Sequence, residues 1–388
     1  MNIATEGAHS VYSFIERTAE RVPNGIRWQT IDYENKPQYH FNVFNGVGGI
    51  SFFLAEYYRL TGSEAALDLA VGANQWCSSK EHKGFSRGIH FGKTGIAMAW
   101  LHLSRITKKP DYRSYCAENA DILLREDPGP LTDLMGGAAS NGLFLIRLWQ
   151  ATNEPKYLSG AVRCGAWLSA HLVRDERGCH CLLRPDGKWG DTPHVGVAHG
   201  IAGVGHFFLL LYEATQERRW ADCAKEILET LVRHAIPDKG GFNWSQRLGN
   251  MELDRCQWSH GAPGIGLVFT KAYEVLKEPP YFEVAQKAGE TTYAYGDFRH
   301  NATQCIGLAG CGEVFIELYR VSKDHRWLDR AYEFAAMALG CREKLPEGDA
   351  WPTDAPGLFS ADFMYGAAGI GHFFLRLWKP GEIQMPLM

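Results

Sequence analysis

Five residues with reactive side chains lie in or just before short glycine-rich segments. His199 stands in AHGIAG, His260 in QWSHGAPG and Cys305 in QCIGLAG, with Arg255 upstream of His260 and Asp133 in TDLMGG. Imidazoles move protons near neutral pH, a guanidinium stabilises an anion, and a thiol is a nucleophile or a metal ligand. A helix cap or a satisfied core histidine explains each residue singly, but several ionisable groups at one place indicate a site of acid–base chemistry.

The glycine segments belong to a repeat that must position these side chains. Seven segments open with small residues and continue into an apolar helix, and an amphipathic second helix such as EAALDLAVGANQW follows most of them. The last segment is no more polar than the others, which favours a closed ring over an open solenoid. The sequence therefore predicts an all-α fold, an α/α toroid of seven helical hairpins with inner and outer helices. The aligned glycines are Gly46, Gly92, Gly137, Gly200, Gly261, Gly307 and Gly366.

Parallel inner helices would bring their N-termini together at one pole. We expect unpaired amide groups and helix dipoles there to favour anions. The longer intervals contain Gly, Pro and Asp clusters that predict hairpins at the same pole. One of them contains Cys179, His180 and Cys181. A metal site is one interpretation of that triplet, but alternation in a strand explains it more simply.

Composition narrows the class of protein. The net charge of -4 comes from 40 basic and 44 acidic residues, so neither nucleic acid nor an anionic membrane is an expected partner. No apolar run approaches the roughly 20 residues that span a bilayer. Without an export signal, the chain is expected to be cytoplasmic and its ten cysteines reduced. We expect residues 1–40 to form a helical extension packed on the ring and residues 41–388 to form the toroid.

The motifs identify a family resemblance. AHGIAG, QWSHGAPG and QCIGLAG resemble the AHGxAG, WCxGxPG and CHGxAG motifs of lanthionine synthetase C proteins, over roughly residues 40 to 380. The resemblance implies a lyase-type cyclase in which a cysteine of a dehydrated precursor peptide adds to dehydroalanine or dehydrobutyrine, forming a lanthionine or methyllanthionine thioether. It also implies acid–base roles for Asp133, His199 and Arg255, and another peptide-modifying enzyme as a possible partner.

The zinc motif implied by the resemblance is altered. The family ligands are the Cys of WCxG and both residues of CHG, and this chain has Ser259, Cys305 and Ile306 there. Only Cys305 keeps a family ligand, and an isobutyl-sized side chain cannot bind zinc. A zinc-independent reaction is therefore favoured over bound zinc. A shifted zinc site is the alternative, built from Cys256, His260, Cys305 and Cys311.

Without zinc, we expect His199 or His260 to accept the thiol proton, Arg255 and the helix N-termini to stabilise the anion, and Asp133 to orient its partner. Three other functions remain alternatives. A non-catalytic scaffold would bind a peptide or partner enzyme, and a glutathione-directed activity would resemble that of some eukaryotic-like members of the family. A carbohydrate-active toroid would need paired carboxylates, for which the candidates are Asp133, Asp191, Asp254 and Asp362.

Overall fold

A computed structural model of the protein describes residues 2–82, 84, 86–296 and 301–388. The chain divides into two compact units. Unit 1 comprises residues 1–84, 90–117 and 296–387, and unit 2 comprises residues 85–89, 118–295 and 388. The helices are α1 (Ile3–Arg17), α2 (Ile50–Thr61), α3 (Glu64–Ser78), α4 (Lys93–Thr107), α5 (Ser114–Arg125), α6 (Ala138–Thr152), α7 (Pro155–Ala170), α8 (Ile201–Thr215), α9 (Arg218–Arg233), α10 (Ala262–Leu276), α11 (Pro279–Tyr295), α12 (Leu308–Ser322), α13 (His325–Gly340) and α14 (Ala367–Trp378).

The aligned glycines mark the starts of the even-numbered helices. Six of these helices begin at the residue after the predicted glycine, which is the N-cap. In the first repeat a short 3-10 turn, Val47–Gly49, separates Gly46 from α2. The predicted repeat alignment is therefore confirmed. The even-numbered helices are also the apolar ones, and α8 is buried at every position from Ile201 to Leu211.

Short antiparallel hairpins follow several outer helices, as the Gly, Pro and Asp clusters predicted. Cys179 and His180 lie in the second strand of one hairpin, so the strand interpretation is confirmed for these two residues, and Cys181 follows directly after the strand. No helix within the described ranges is long and apolar enough to cross a membrane. The strands are β1 (Glu20–Val22), β2 (Gly25–Arg27), β3 (Thr30–Ile31), β4 (Pro37–Gln38), β5 (Val173–Asp175), β6 (Gly178–His180), β7 (Ile236–Asp238), β8 (Gly241–Asn243), β9 (Glu343–Leu345) and β10 (Gly348–Ala350).

In unit 2, consecutive helices pack as the pairs α6–α7, α8–α9 and α10–α11, and α8 also packs against both α6 and α10. The segments before α6, α8 and α10 are therefore neighbours. In unit 1 the pairs are α2–α3 and α12–α13. The apolar stripes of the amphipathic outer helices, strongest in α9, explain this pairing.

The N-terminal helix completes the last hairpin of unit 1. Residues 379–388, which follow α14, form no helix, and α1 packs against α14. The contact is close, because a Cβ on Gly7 would lie 2.6 Å from the Phe374 ring. Strand β10 packs on α1 as β6 packs on α9 and β8 on α11. Helix α1 thus occupies an outer-helix position, while the expected boundary at residues 40 and 41 stays a prediction.

A recurrent turn precedes several glycine-led helices. Four residues before the aligned glycine stand Asn42, Asp133 and Asp362 in the first, third and last repeats. In each case the side-chain Oδ1 accepts a hydrogen bond from the backbone N–H three residues later, at 2.8–3.0 Å. A carboxylate or amide at this position therefore stabilises the turn, whatever else it does.

The same loops pair the first amide groups of the helices. Before α8, the N–H groups of Gly200, Ile201 and Ala202 donate to the carbonyls of residues 196, 194 and 195. The loop before α6 bonds the corresponding amide groups in the same way. The expectation that unpaired amide groups line the pole is therefore wrong for α6 and α8. The chain folds back over each helix start and satisfies these donors itself.

Candidate active site

Asp133 and His199 form a direct pair in unit 2. Asp133 precedes α6, His199 precedes α8, and the packing of these helices brings the two loops together. His199 Nδ1 lies 2.7 Å from Asp133 Oδ2. The aspartate is 1% exposed, whereas the histidine side chain is 35% exposed. A buried carboxylate thus holds an imidazole whose other edge is accessible.

The two oxygens of Asp133 have separate partners. Oδ1 accepts from the N–H of Gly136 at 3.0 Å, which is the turn bond shared with other repeats. Oδ2 is left for His199. A carboxylate only accepts, so Nδ1 of His199 is the donor in this pair, and in the neutral imidazole Nε2 is then the atom with the lone pair. Asp133 therefore stabilises the turn before α6 with one oxygen, rather than capping the helix itself, and holds His199 with the other.

His260 lies next to His199 but has different acid–base character. Their ring centroids are 6.3 Å apart. His260 is 7% exposed, and burial, aided by the nearby His199, His194 and Arg255, lowers its pKa to about 3. A group that binds protons so weakly is a poor general base at neutral pH. Between the two candidate bases, the environment favours His199.

The loop before α10 differs from the other glycine turns. Gly261 has φ of +115°, a conformation that favours glycine, and a Cβ there would lie 2.8 Å from the carbonyl oxygen of Arg255. Asn243 holds this loop, because its Oδ1 accepts from the N–H of Ala262 at 2.9 Å and its Nδ2 donates to the Arg255 carbonyl at 3.0 Å. The loop backbone that carries Arg255 and His260 is therefore fixed by specific contacts.

Arg255 is half-exposed and paired. Its Nε lies 3.2 Å from Asp254 Oδ2, and the two side chains are 36% and 49% exposed. Such an exposed pair contributes little stability and can open to bind another anion. After burial and the two neighbouring histidines, its charge is among the causes of the lowered pKa of His260.

Two residues that the sequence did not single out lie beside these histidines. The His194 ring is 6.2 Å from the His260 ring, and His194 forms a backbone bridge with Arg247. Burial, and next the charge of Arg247, lowers the pKa of His194 to about 4. The spacing of His194 from His199 in HVGVAHG was a visible signal. No sequence signal pointed to Arg247, because the bridge joins segments that are distant in sequence.

The three family zinc positions do not offer a matching donor set. Ser259 lies in unit 2 and is 6% exposed, and its carbonyl packs against Gly196. In unit 1, Cys305 is 4% exposed and its N–H donates to the Met364 carbonyl at 2.9 Å. Ile306 has no donor atom for a metal. Among the residues that the structure describes, no three His, Cys, Asp or Glu side chains gather as metal ligands, and this includes the proposed shifted site. The residues therefore do not fit the zinc centre that the family resemblance implies.

Comparisons with known proteins agree with the motifs. A family profile described as "Lanthionine synthetase C-like protein" matches residues 37–388. The LanC-like protein GCL1 of Arabidopsis thaliana is 31% identical over 323 residues, which cover 78% of this chain and 71% of that protein. The glutathione S-transferase LANCL1 of Danio rerio is 25% identical over 204 residues, but the match covers only 51% of this chain and 46% of the zebrafish protein.

A solved structure shows the fold. Nisin cyclase superposes with a TM-score of 0.68 at 16% sequence identity, and the match covers 97% of this chain and 94% of that chain. At this identity the similarity concerns the fold alone. It confirms the predicted all-α, α/α toroid class.

Proposed function

Because the chain belongs to the lanthionine synthetase C-like family, we propose that it catalyses the addition of a peptide cysteine thiol to a dehydroalanine or dehydrobutyrine residue. The product is a lanthionine or methyllanthionine thioether ring. The observation that carries the proposal is the Asp133–His199 pair, a buried carboxylate holding an accessible imidazole. The substrate is a dehydrated precursor peptide of the cytoplasm, supplied by a separate dehydrating enzyme.

The reaction needs a base because a cysteine thiol, with a pKa of about 8.5, is mostly protonated at neutral pH. His199 Nε2 takes this proton. The thiolate sulfur bonds to the β-carbon of the dehydro residue, and the C=C electron pair moves towards the carbonyl as an enolate. The imidazolium then returns the proton to the α-carbon, so no proton is gained or lost overall.

The other site residues have supporting roles in this scheme. Asp133 holds the Nδ1–H tautomer and stabilises the transient imidazolium. Arg255, released from its exposed pair with Asp254, stabilises the enolate oxygen. His260 stays neutral and can donate a hydrogen bond rather than take a proton. No step uses a metal, because Ser259, Cys305 and Ile306 do not fit the family's zinc arrangement.

The contacts of the candidate acids weigh against a carbohydrate-active site. Asp133 uses both oxygens for a turn and a histidine, and Asp362 bonds Tyr365 and Ser360 within its own loop. Asp254 pairs with Arg255. A glycosidase needs carboxylates that face a sugar bond. A non-catalytic scaffold remains the main rival, and it gives no reason for an accessible histidine held by a buried carboxylate.

The test is ring closure on a model peptide that contains one dehydroalanine and one cysteine. Thiol alkylation followed by mass spectrometry counts the cysteines left free, with and without protein. We expect faster loss of free cysteine with the protein, and a loss rate equal to the background would overturn the proposal. A second arm adds glutathione to a peptide without cysteine, because the zebrafish relative is named a glutathione S-transferase. Faster reaction in that arm alone would assign the activity to glutathione instead.

A further inference from the structure

His194 and Arg247 are held side by side next to the proposed site. The N–H of Val195 donates to the Gln246 carbonyl at 3.1 Å, and the N–H of Leu248 donates to the Pro193 carbonyl at 2.9 Å. His194 and Arg247 are thus directly opposite in an antiparallel bridge, outside its hydrogen bonds. Such pairs have Cα atoms about 4.5 Å apart and side chains on the same face.

Among the charged groups around this pair, the exposed guanidinium of Arg247 has no acidic partner in the described part of the chain. Arg247 is exposed, and none of the ion pairs in the described part of the chain includes it. Arg255 has Asp254 as its partner. Asp133 lies buried, with its oxygens bonded to Gly136 and His199. An anion arriving from solvent therefore meets the free positive charge of Arg247.

The neighbouring imidazoles add neutral polar atoms that lack partners. Nδ1 of His194 and Nδ1 of His260 are buried without a hydrogen-bond partner among the described residues. The His260 side chain is more than nine-tenths buried. Burial, and after it the charges of the neighbouring groups, lowers the pKa of both imidazoles and keeps them uncharged at neutral pH. The cluster therefore has one full positive charge, that of Arg247, and the neutral imidazoles beside it add no second charge.

We propose that Arg247 and His194 form a carboxylate subsite on the rim of the His199 centre, which selects thiol donors that carry a carboxylate a few residues from the cysteine. This inference rests on the thiol addition proposed above. A guanidinium matches a carboxylate with two parallel hydrogen bonds. A single unbalanced charge suits a monoanion better than a dianionic phosphate.

The distance between subsite and base limits where the carboxylate stands. The His194 and His260 rings are 6.2 Å apart, and the His260 and His199 rings 6.3 Å. The His194 and His199 rings are therefore at most 12.5 Å apart, a span of about three to four extended residues. The carboxylate is an acidic side chain or a chain terminus within that distance of the thiol.

The test compares two peptides that differ only in charge: acetyl-Cys-Gly-Gly with a free carboxylate and the same peptide with a terminal amide. Binding is measured by calorimetry or by NMR shifts of the histidine rings, so no turnover is required. We expect the carboxylate peptide to bind about tenfold more tightly, in line with a charged hydrogen-bonded pair. In Arg247→Gln the ratio should fall to about one, with the affinity for the amide unchanged.

Arg218→Gln is the matched control, because it removes the same charge from a side chain that is 92% exposed on α9; it should keep the tenfold ratio. Equal binding of the two peptides by the wild type, no binding of either, or a preference that survives Arg247→Gln would overturn the subsite. Stronger competition by inorganic phosphate than by acetate would overturn its assignment to carboxylates. A carboxylate preference without ring closure would refute the proposed reaction and leave the subsite standing. Ring closure without the carboxylate preference would refute the subsite and leave the proposed reaction standing.

Discussion

Replacing Asp133 by Asn tests the hydrogen bond that fixes the tautomer of His199. The amide has one acceptor oxygen for the two bonds that Asp133 accepts, from Gly136 and from His199 Nδ1. If the oxygen keeps the turn bond, the NH2 group faces Nδ1. The imidazole must then carry its proton on Nε2, the atom that we propose as the base.

The expected loss follows from the contact that is removed. A hydrogen bond to a charged group contributes about 1.5–3 kcal/mol, which corresponds to about a 10- to 150-fold change in rate. Loss of the reactive tautomer increases the effect, since the equivalent change in a serine protease triad costs about 10⁴-fold. We therefore expect ring closure to slow by about 10² to 10⁴-fold, mainly in kcat. The assay is the rate at which the model peptide loses free cysteine.

Asp362→Asn is the control, because Asp362 makes the same turn bond in the last repeat, to the N–H of Tyr365 at 2.8 Å. It should affect the stability of its loop but change the ring-closure rate by less than about threefold. Long-range ¹H–¹⁵N NMR of the His199 ring reads the tautomer directly, which a purely structural role of Asp133 would not alter. A wild-type rate in Asp133→Asn, or an unchanged His199 tautomer, would refute the reasoning.

Three further predictions concern stability, measured by urea unfolding. Gly7→Leu should lower the free energy of unfolding by about 1–3 kcal/mol, because a Cβ on Gly7 already lies 2.6 Å from a ring of α14; Gly340→Ala, with open space around it, should have little effect. Arg376→Met should cost about 3–5 kcal/mol, since it leaves the buried carboxylate of Glu313 without its ion pair; a loss below 1 kcal/mol would contradict this. Burial lowers the pKa of His206 to about 3. Below about pH 6.5 the unfolded chain therefore binds a proton at this residue, whereas the folded chain does not bind it until about pH 3. The free energy of unfolding therefore decreases as pH falls below about 6.5, by about 2 kcal/mol at pH 5 for this residue. If His206→Leu showed the same pH profile as the wild type, His206 would be excluded as the cause.

The repeat made the fold predictable, because small residues recur before each of the apolar, even-numbered helices. The glycine alignment located the inner helices to within a few residues. The pairing of α1 with α14 could not be predicted from the sequence, because these helices are far apart along the chain and neither has a sequence feature that identifies the other as its partner. The unpaired amide groups were expected from helix geometry alone, and the fold-back of the preceding loops could not be seen without the structure.

The candidate site was predictable where the residue types themselves carry chemistry. Asp133 and His199 were predicted as site residues from their motifs, and the structure adds the contact between them. The motif pattern did not separate His199 from His260, because both stand in HG segments. Burial separates them, and it depends on how the loop before α10 packs. Arg247 was missed for the related reason that its partner, His194, is distant in sequence.

The rate of thioether formation by chelator-treated protein tests the central claim most directly. The measurement follows a peptide with one dehydroalanine and one cysteine, and it compares the wild type, His199→Gln and a reaction without protein. We predict that the chelated wild type closes the ring faster than background by about 10² or more, and that His199→Gln loses most of this acceleration. Acceleration that disappears on chelation, or that His199→Gln retains in full, would contradict a metal-independent reaction driven by the Asp133–His199 pair.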